Sequence, residues 1–196
     1  GVQTCALPIS KTKTDTGRIW TYVRDDRPFG GPAPPAAIFH YSRDRRGEHP
    51  VGHLRSWRGI LQADAYAGYD GIFNDLLRCI IELLCWAHAR RKFYDARKTA
   101  PELSHTALAW IKLLYAVEKE IKDDSAEQKK RVRQEKSVPI LNDFKNWLDG
   151  ISLEEALPQS PIRQAINYTL NGWEALRVYT QDGDFSIDNN VAEHQM

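Results

Sequence analysis

The feature that most limits what this chain can fold into is a change of period along its length. Up to residue 64 the apolar residues come in short runs, and beyond residue 103 they recur every third or fourth position. Ile19-Trp20-Thr21-Tyr22-Val23 and Ala36-Ala37-Ile38-Phe39-His40-Tyr41 are rich in aromatic and β-branched residues and read as strands. Asp25-Asp26-Arg27-Pro28 and Gly30-Gly31-Pro32 punctuate the loop between them. Glu48 to Trp57 reads as a short helix with Val51 and Leu54 on one side. Gly59-Ile60-Leu61-Gln62-Ala63-Asp64 reads as a third, interior strand that ends on a carboxylate.

The remainder reads as helical. Leu76, Leu77, Ile80, Ile81, Leu83 and Leu84 predict a buried helix, while Cys85-Trp86-Ala87-His88 fits a strand or a further helical turn equally. Leu108, Ile111, Leu114, Tyr115 and Ile121 define one amphipathic helix. Ser125 with Gln128 has the form of a capping box and predicts a second helix, running to about Ser137. Leu141, Phe144 and Leu148 mark a third. Ser160 as cap and Pro161 in the first turn open a fourth, lined by Ile166, Leu170, Trp173, Leu176 and Tyr179. After the Asp182-Gly183-Asp184 turn and an extended Phe185-Ser186-Ile187, a last helix is expected near Asp188 or Asn190.

At 196 residues the chain suits one domain, or one domain with an insertion, and needs no disulfide staple. Three cysteines are too few for a disulfide framework and point to a reducing compartment. No apolar run approaches the roughly 20 residues of a membrane span, which argues against a membrane partner. The net charge of +1 says nothing of partners, but its distribution does. Basic residues cluster at Arg43–Arg58, at Arg90, Arg91, Lys92, Arg97 and Lys98, and at Lys129, Lys130, Arg131, Arg133 and Lys136. Acids gather at Asp182, Asp184, Asp188 and Glu193. Basic surfaces around an acidic pocket suit a protein that holds a polyanion. Taken singly, each cluster also fits a solvated helix face.

Residues 1–9, Gly1-Val2-Gln3-Thr4-Cys5-Ala6-Leu7-Pro8-Ile9, match the translation of the sequencing-adapter read GGA GTT CAG ACG TGT GCT CTT CCG ATC. This wording reads as foreign to the gene, so the segment and Cys5 are set aside from the fold reasoning.

Two carboxylates remain that suit divalent-metal chemistry. Mg²⁺ takes hard oxygen donors, and two such ions about 4 Å apart can activate the attacking oxygen and stabilise the leaving oxygen of a phosphodiester. Asp64 at a strand end and Glu193 in the opening turn of a helix are the candidates, with Asp70 a rival to Asp64. The spacing of Cys85 and His88 suggests zinc, but a structural site needs about four ligands. Only Cys79, His105 and His49 could add to it, so packing beside the site is the preferred role. Trp86, next to the basic run, is the tryptophan placed to stack on a base.

The wording of several blocks carries a resemblance. Asp64-Ala65-Tyr66-Ala67-Gly68-Tyr69, Cys85-Trp86-Ala87-His88-Ala89-Arg90-Arg91-Lys92-Phe93, Ile166-Asn167-Tyr168 with Trp173-Glu174-Ala175-Leu176, and Ile187-Asp188-Asn189-Asn190-Val191-Ala192-Glu193 resemble blocks of the insertion sequence 66 family of bacterial transposases, in the family's order. So do Gly17-Arg18-Ile19-Trp20, Tyr22 to Pro28, and Gly47-Glu48-His49-Pro50.

The resemblance implies an α/β fold: an RNase H-like mixed-sheet core with an α-helical insertion. The core would occupy 10–94 and 160–196 and the insertion 95–159. It implies an Asp-Asp-Glu triad in which Asp64 is the second acid and Glu193 the third, both catalytic and both binding Mg²⁺ or Mn²⁺. It implies cleavage at transposon ends and attack of the freed 3′ hydroxyl on target DNA, by a homo-oligomer in the bacterial cytoplasm, associated with the nucleoid. Arg90, Arg91 and Lys92 would face the DNA backbone, with Cys85 and His88 supporting the site.

The family's first acid belongs on a strand ahead of Lys11, where this chain carries the adapter-like segment. Asp15, Asp25 and Asp26 do not replace it, and His194 stands where the family usually has arginine. The stretch Asn74 to Leu84 matches the family poorly. The chain as given is therefore expected to be an inactive fragment. A non-catalytic DNA-binding remnant and an RNase H-like metal-dependent nuclease are the competing readings.

Overall fold

A computed structural model describes residues 17–25, 31–63, 67–73, 80–152 and 154–189. The architecture is mixed α/β, with the strands in the first half. The chain divides into two compact units, one made of residues 1–83 with 189–196 and the other of residues 84–188.

The first unit opens with a hairpin. β1 (Arg18–Arg24) pairs antiparallel with β2 (Ala36–Ser42), with Trp20 opposite His40 and Tyr22 opposite Ile38. β1 buries Trp20 completely, and its indole N–H donates to the Ser42 hydroxyl at 2.8 Å. β2 is exposed on both faces: Ile38 and Phe39 point to opposite sides and are 58% and 60% exposed.

Helix α1 (Glu48–His53) follows. β3 (Gly59–Ala63) starts at a glycine whose φ of 127° excludes most side chains. A 3₁₀ turn (Ala67–Tyr69) and α2 (Asp70–Phe73) come next. Gly47 lies so close to the Gly68 carbonyl that a Cβ would sit 2.7 Å from its oxygen, which lets the start of α1 meet the 3₁₀ turn. Trp20, Leu54, Ala63, Tyr69, Ile72 and Ile80 form the core, with Tyr22, Val51, Leu61 and Phe73 packed against it.

Residues 80–84 are not the helix their composition predicts. They form strand β4 (Ile80–Leu84), paired with β3. Ile81 is 51% exposed while Ile80, Leu83 and Leu84 are buried. A short apolar run carries no period that separates helix from strand, and the pairing partner decides it. Leu76 and Leu77 lie outside the described residues. The described strands form two two-stranded sheets, β1-β2 and β3-β4.

The second unit is helical. α3 (Trp86–Ala96) settles the open reading of Cys85-Trp86-Ala87-His88 as a helix start. α4 (Pro101–Glu120) matches the expected amphipathic helix and buries Ala107, Ile111, Leu114 and Val117. α5 (Ala126–Val132) opens where expected, with the Ser125 hydroxyl accepting from the Gln128 N–H at 3.3 Å. It runs through a π turn (Arg133–Ser137) directly into α6 (Val138–Asp149) instead of stopping. Pro139 lacks an N–H to donate back along the helix, and a locally wider turn absorbs that gap.

α7 (Pro161–Asn171) is capped by Ser160, whose hydroxyl accepts from the Arg163 N–H at 3.3 Å. The expected single helix then breaks. α8 (Trp173–Arg177) and a 3₁₀ turn (Val178–Gln181) follow Gly172, which packs so tightly on Leu84 that a Cβ would clash with its side chain. Phe144 centres the core of this unit, with Trp86, Phe93, Trp110, Trp147 and Trp173 around it at centroid distances of 6.0–6.4 Å. Among the described residues, no helix is long and apolar enough to cross a membrane.

Candidate functional site

Asp64 and Glu193 lie outside the described residues, as do Asn190 and Cys79. The structure describes the segments that lead to them. β3 ends on Ala63, fully buried, immediately before Asp64. Toward the other end of the chain, Ile187 and Asn189 are buried ahead of Glu193.

Asp70 is exposed at the start of α2. It acts electrostatically on Glu82, a half-buried carboxyl in β4 whose pKa is raised first by burial and then by the Asp70 charge. Sequence reasoning passed over Glu82. Its signal was a lone acid inside an apolar run. Among the described residues, no group of three or more His, Cys, Asp or Glu side chains is placed to hold a metal ion.

Cys85 is a buried free thiol at the N-cap position of α3, with extended backbone. Its carbonyl accepts the His88 and Ala89 N–H groups at 3.2 and 3.4 Å, so it starts the helix. His88 sits one turn in and is partly buried.

Trp86 is not a stacking platform. It is fully buried, its indole N–H donates to the Leu176 carbonyl at 2.9 Å, and its backbone N–H donates to the Ile187 carbonyl at 3.1 Å. It belongs to the aromatic core because position 86 falls on the buried stripe of α3 with Ala89, Phe93 and Ala96.

The same stripe turns the basic run outward. Arg90, Arg91 and Lys92 are all exposed, and the Lys92 ammonium lies 4.6 Å from the Tyr168 ring centroid. On this surface Tyr94 is 47% exposed, with the Arg97 guanidinium 3.3 Å from its ring centroid.

The third basic cluster is not one surface. Lys130 and Arg131 are exposed, and Lys136 pairs with Glu120, but Arg133 is only 3% exposed. Its guanidinium grips Glu118 of α4 at 2.9 and 2.6 Å. Its Nη1 also donates to the Tyr179 and Asp182 carbonyls at 3.0 and 2.7 Å.

The Transposase IS66 family model matches residues 2–196, a range that takes in most of the adapter-like segment. The chain belongs to the Transposase IS66 family. Three relatives come from Sinorhizobium fredii (strain NBRC 101917 / NGR234). The uncharacterized protein y4hP is 41% identical over 208 residues, covering 97% of this chain and 37% of its own length. The uncharacterized protein y4jD is 34% identical over 197 residues, covering 97% of this chain and 38% of its own. The uncharacterized protein y4qI is 34% identical over 188 residues, covering 92% and 34%. This IS66-family chain thus spans little more than a third of the length of these relatives. No solved structure matches it.

Proposed function

We propose that this chain is part of a DDE transposase that cleaves transposon DNA ends and joins the freed 3′ hydroxyl to target DNA. The observation that carries the reading is its membership of the IS66 family. Within the matched range, Asp64 and Glu193 are the acids we assign to catalysis and metal binding.

The fold proposed for the parent enzyme is an RNase H-like sheet. The described strands form two pairs, and β2 is bare on both faces. The strand-rich first half and the helices that follow it support the reading at the level of a mixed α/β fold.

Carboxylate pairs are the hard oxygen donors that Mg²⁺ or Mn²⁺ takes, so the residues fit the ion. When bound, the metal would stabilise charge on the attacking and leaving oxygens. The chain's own contribution is to hold the DNA. Arg90, Arg91 and Lys92 on the outward face of α3 bind phosphates without reading sequence. Joining is a transesterification: the 3′ hydroxyl forms a new phosphodiester, the target strand's 3′ oxygen leaves, and no covalent enzyme intermediate is needed.

The test has two arms. In fluorescence anisotropy with a labelled duplex, each of Arg90→Ala, Arg91→Ala and Lys92→Ala should lower the slope of log K against log salt by about 1. In a strand-transfer assay with Mg²⁺, the chain extended to the length of its relatives should be active, and Asp64→Asn or Glu193→Gln should abolish that activity. An extended protein that binds ends but never cuts would favour the DNA-binding remnant, and one that cuts without joining would favour the nuclease.

A further inference from the structure

With Trp86 buried in the core, the stacking role that its place beside the basic run suggested falls to another ring. Among the described residues of the helical unit, Tyr94 is the one exposed aromatic, at 47%. It stands off the buried stripe of α3 formed by Trp86, Ala89, Phe93 and Ala96. Residues three and four positions apart are neighbours on a helix surface, and around Tyr94 all of these are cations. Arg90 and Arg91 stand one turn before it, and Arg97 and Lys98 one turn after. Arg97 is partly exposed and the other three are exposed. Asp95, the acid of α3, follows Tyr94 directly and so points about 100° away round the helix.

Arg97 organises one side of the ring. Its guanidinium lies 3.3 Å from the ring centroid. Its Nε donates to the Tyr94 carbonyl at 2.9 Å, which holds the stack in place. One face is thus covered by a planar cation, and the exposure that remains belongs to the other face, the edge and the hydroxyl. Tyr168, on the α7 flank of the same basic surface, is less open. It is partly buried, and the Lys92 ammonium lies over its ring at 4.6 Å.

Inside a duplex the neighbouring pairs cover every base face, so nothing there can lie on such a ring. An unpaired base can. An aromatic face among cations suits a single strand, the ring taking a base and the cations the phosphates. We infer that Tyr94, backed by Arg97, is a stacking site for an unpaired base, so that the DNA held by this face of α3 is single-stranded where it passes the ring. The inference rests on the reading of Arg90, Arg91 and Lys92 as phosphate contacts, and it adds the form of DNA that they hold.

The test uses the chain itself and fluorescein-labelled DNAs of equal length, with binding read by anisotropy. They are a blunt duplex, a single strand of mixed sequence, and the same strand with abasic residues through its middle. The parent should bind the intact strand more tightly than its abasic form. Tyr94→Leu keeps an apolar side chain and removes the ring. It should weaken binding of the intact strand about five- to 100-fold, and of the duplex less than about two-fold. Its salt slope with the strand should match the parent's, because no phosphate contact is lost. Tyr94→Phe keeps the ring and should bind the strand as the parent does. A parent that binds none of these DNAs would defeat the phosphate reading of α3, and this inference with it. Strand binding that Tyr94→Leu leaves unchanged would overturn the stacking role alone. So would an equal loss on strand and duplex, or a reduced salt slope, since the ring would then only support Arg97. Should Tyr94→Leu fail to fold, the parent decides: equal affinity for the intact and abasic strands overturns the inference.

Discussion

Replacing Arg133 by methionine should be among the most damaging changes in the helical unit that leave its apolar core intact. The side chain is 3% exposed and its partner Glu118 is 16% exposed, so solvent screens the pair poorly. Methionine fills part of the volume of the arginine stem but strands a buried carboxylate and removes the donor to the Tyr179 and Asp182 carbonyls. Removing one partner of a buried pair costs about 3–5 kcal/mol. For a chain of this size that corresponds to about 6–20 °C in Tm.

The double variant Arg133→Met, Glu118→Met has no stranded charge. It leaves chiefly the buried Tyr179 carbonyl without a partner, at about 1–3 kcal/mol. It should therefore melt above the single variant. Lys136→Met serves as control: its pair with Glu120 is 43% and 56% exposed, so the shift should stay under about 1 kcal/mol. Calorimetry and urea unfolding of the four chains decide the matter. A single variant within about 1 kcal/mol of the parent, or a double variant no more stable than the single, refutes the reasoning.

Three further outcomes are expected. Gly183→Ala should cost about 1–3 kcal/mol in urea unfolding, because its Cβ overlaps the Ala126 backbone; a loss below about 0.5 kcal/mol would mean that the turn shifts freely. Glu82 has a folded pKa above its unfolded value, so its protonated form is favoured in the fold. Stability is then full below the unfolded value and falls as pH rises through the folded one. Glu82→Gln should accordingly raise Tm at neutral pH and lose that advantage below about pH 4, and equal gains at both pH values would contradict this.

His53 is shifted the other way. Its pKa is lowered by burial first and then by His40 and His49; the His40 ring stacks on it at 4.0 Å, and the Tyr22 hydroxyl lies 3.1 Å from Nδ1. The neutral ring is favoured in the fold, so stability is full above the unfolded value near pH 6.5 and declines as pH falls toward the folded one. Melting curves between about pH 8 and pH 5 should show this slope flattened in His53→Asn; parallel profiles would exclude the role.

Much of the scaffold was legible because its signals are local. The β-branched runs of β1 and β2, the Ser125 and Ser160 caps, Pro161 in a first turn and the stripe of α4 each act over a few residues. The exposed placing of Arg90, Arg91 and Lys92 is not legible in this way, because the segment that leads to them fits strand and helix equally in sequence, and the buried stripe of α3 is seen only in the structure. The candidate acids were legible only through the wording around Asp64 and Glu193, since strand-end carboxylates are common and nothing local marks a metal ligand.

Sequence by itself thus determined the strands-then-helices order, the helix starts at Ser125 and Ser160 and the transposase family. Tertiary structure alone decided that Ile80–Leu84 is a strand, that Trp86 is core, that Arg133 is an internal tether and not a DNA contact, and that Tyr115 meets Asp188. Each of these depends on a partner far away in the chain: β3 for β4, Leu176 for Trp86, Glu118 and Tyr179 for Arg133, Asp188 for Tyr115. A charged or aromatic side chain has the same local signature whether it faces water or a distant carbonyl, and only the fold brings that carbonyl within reach.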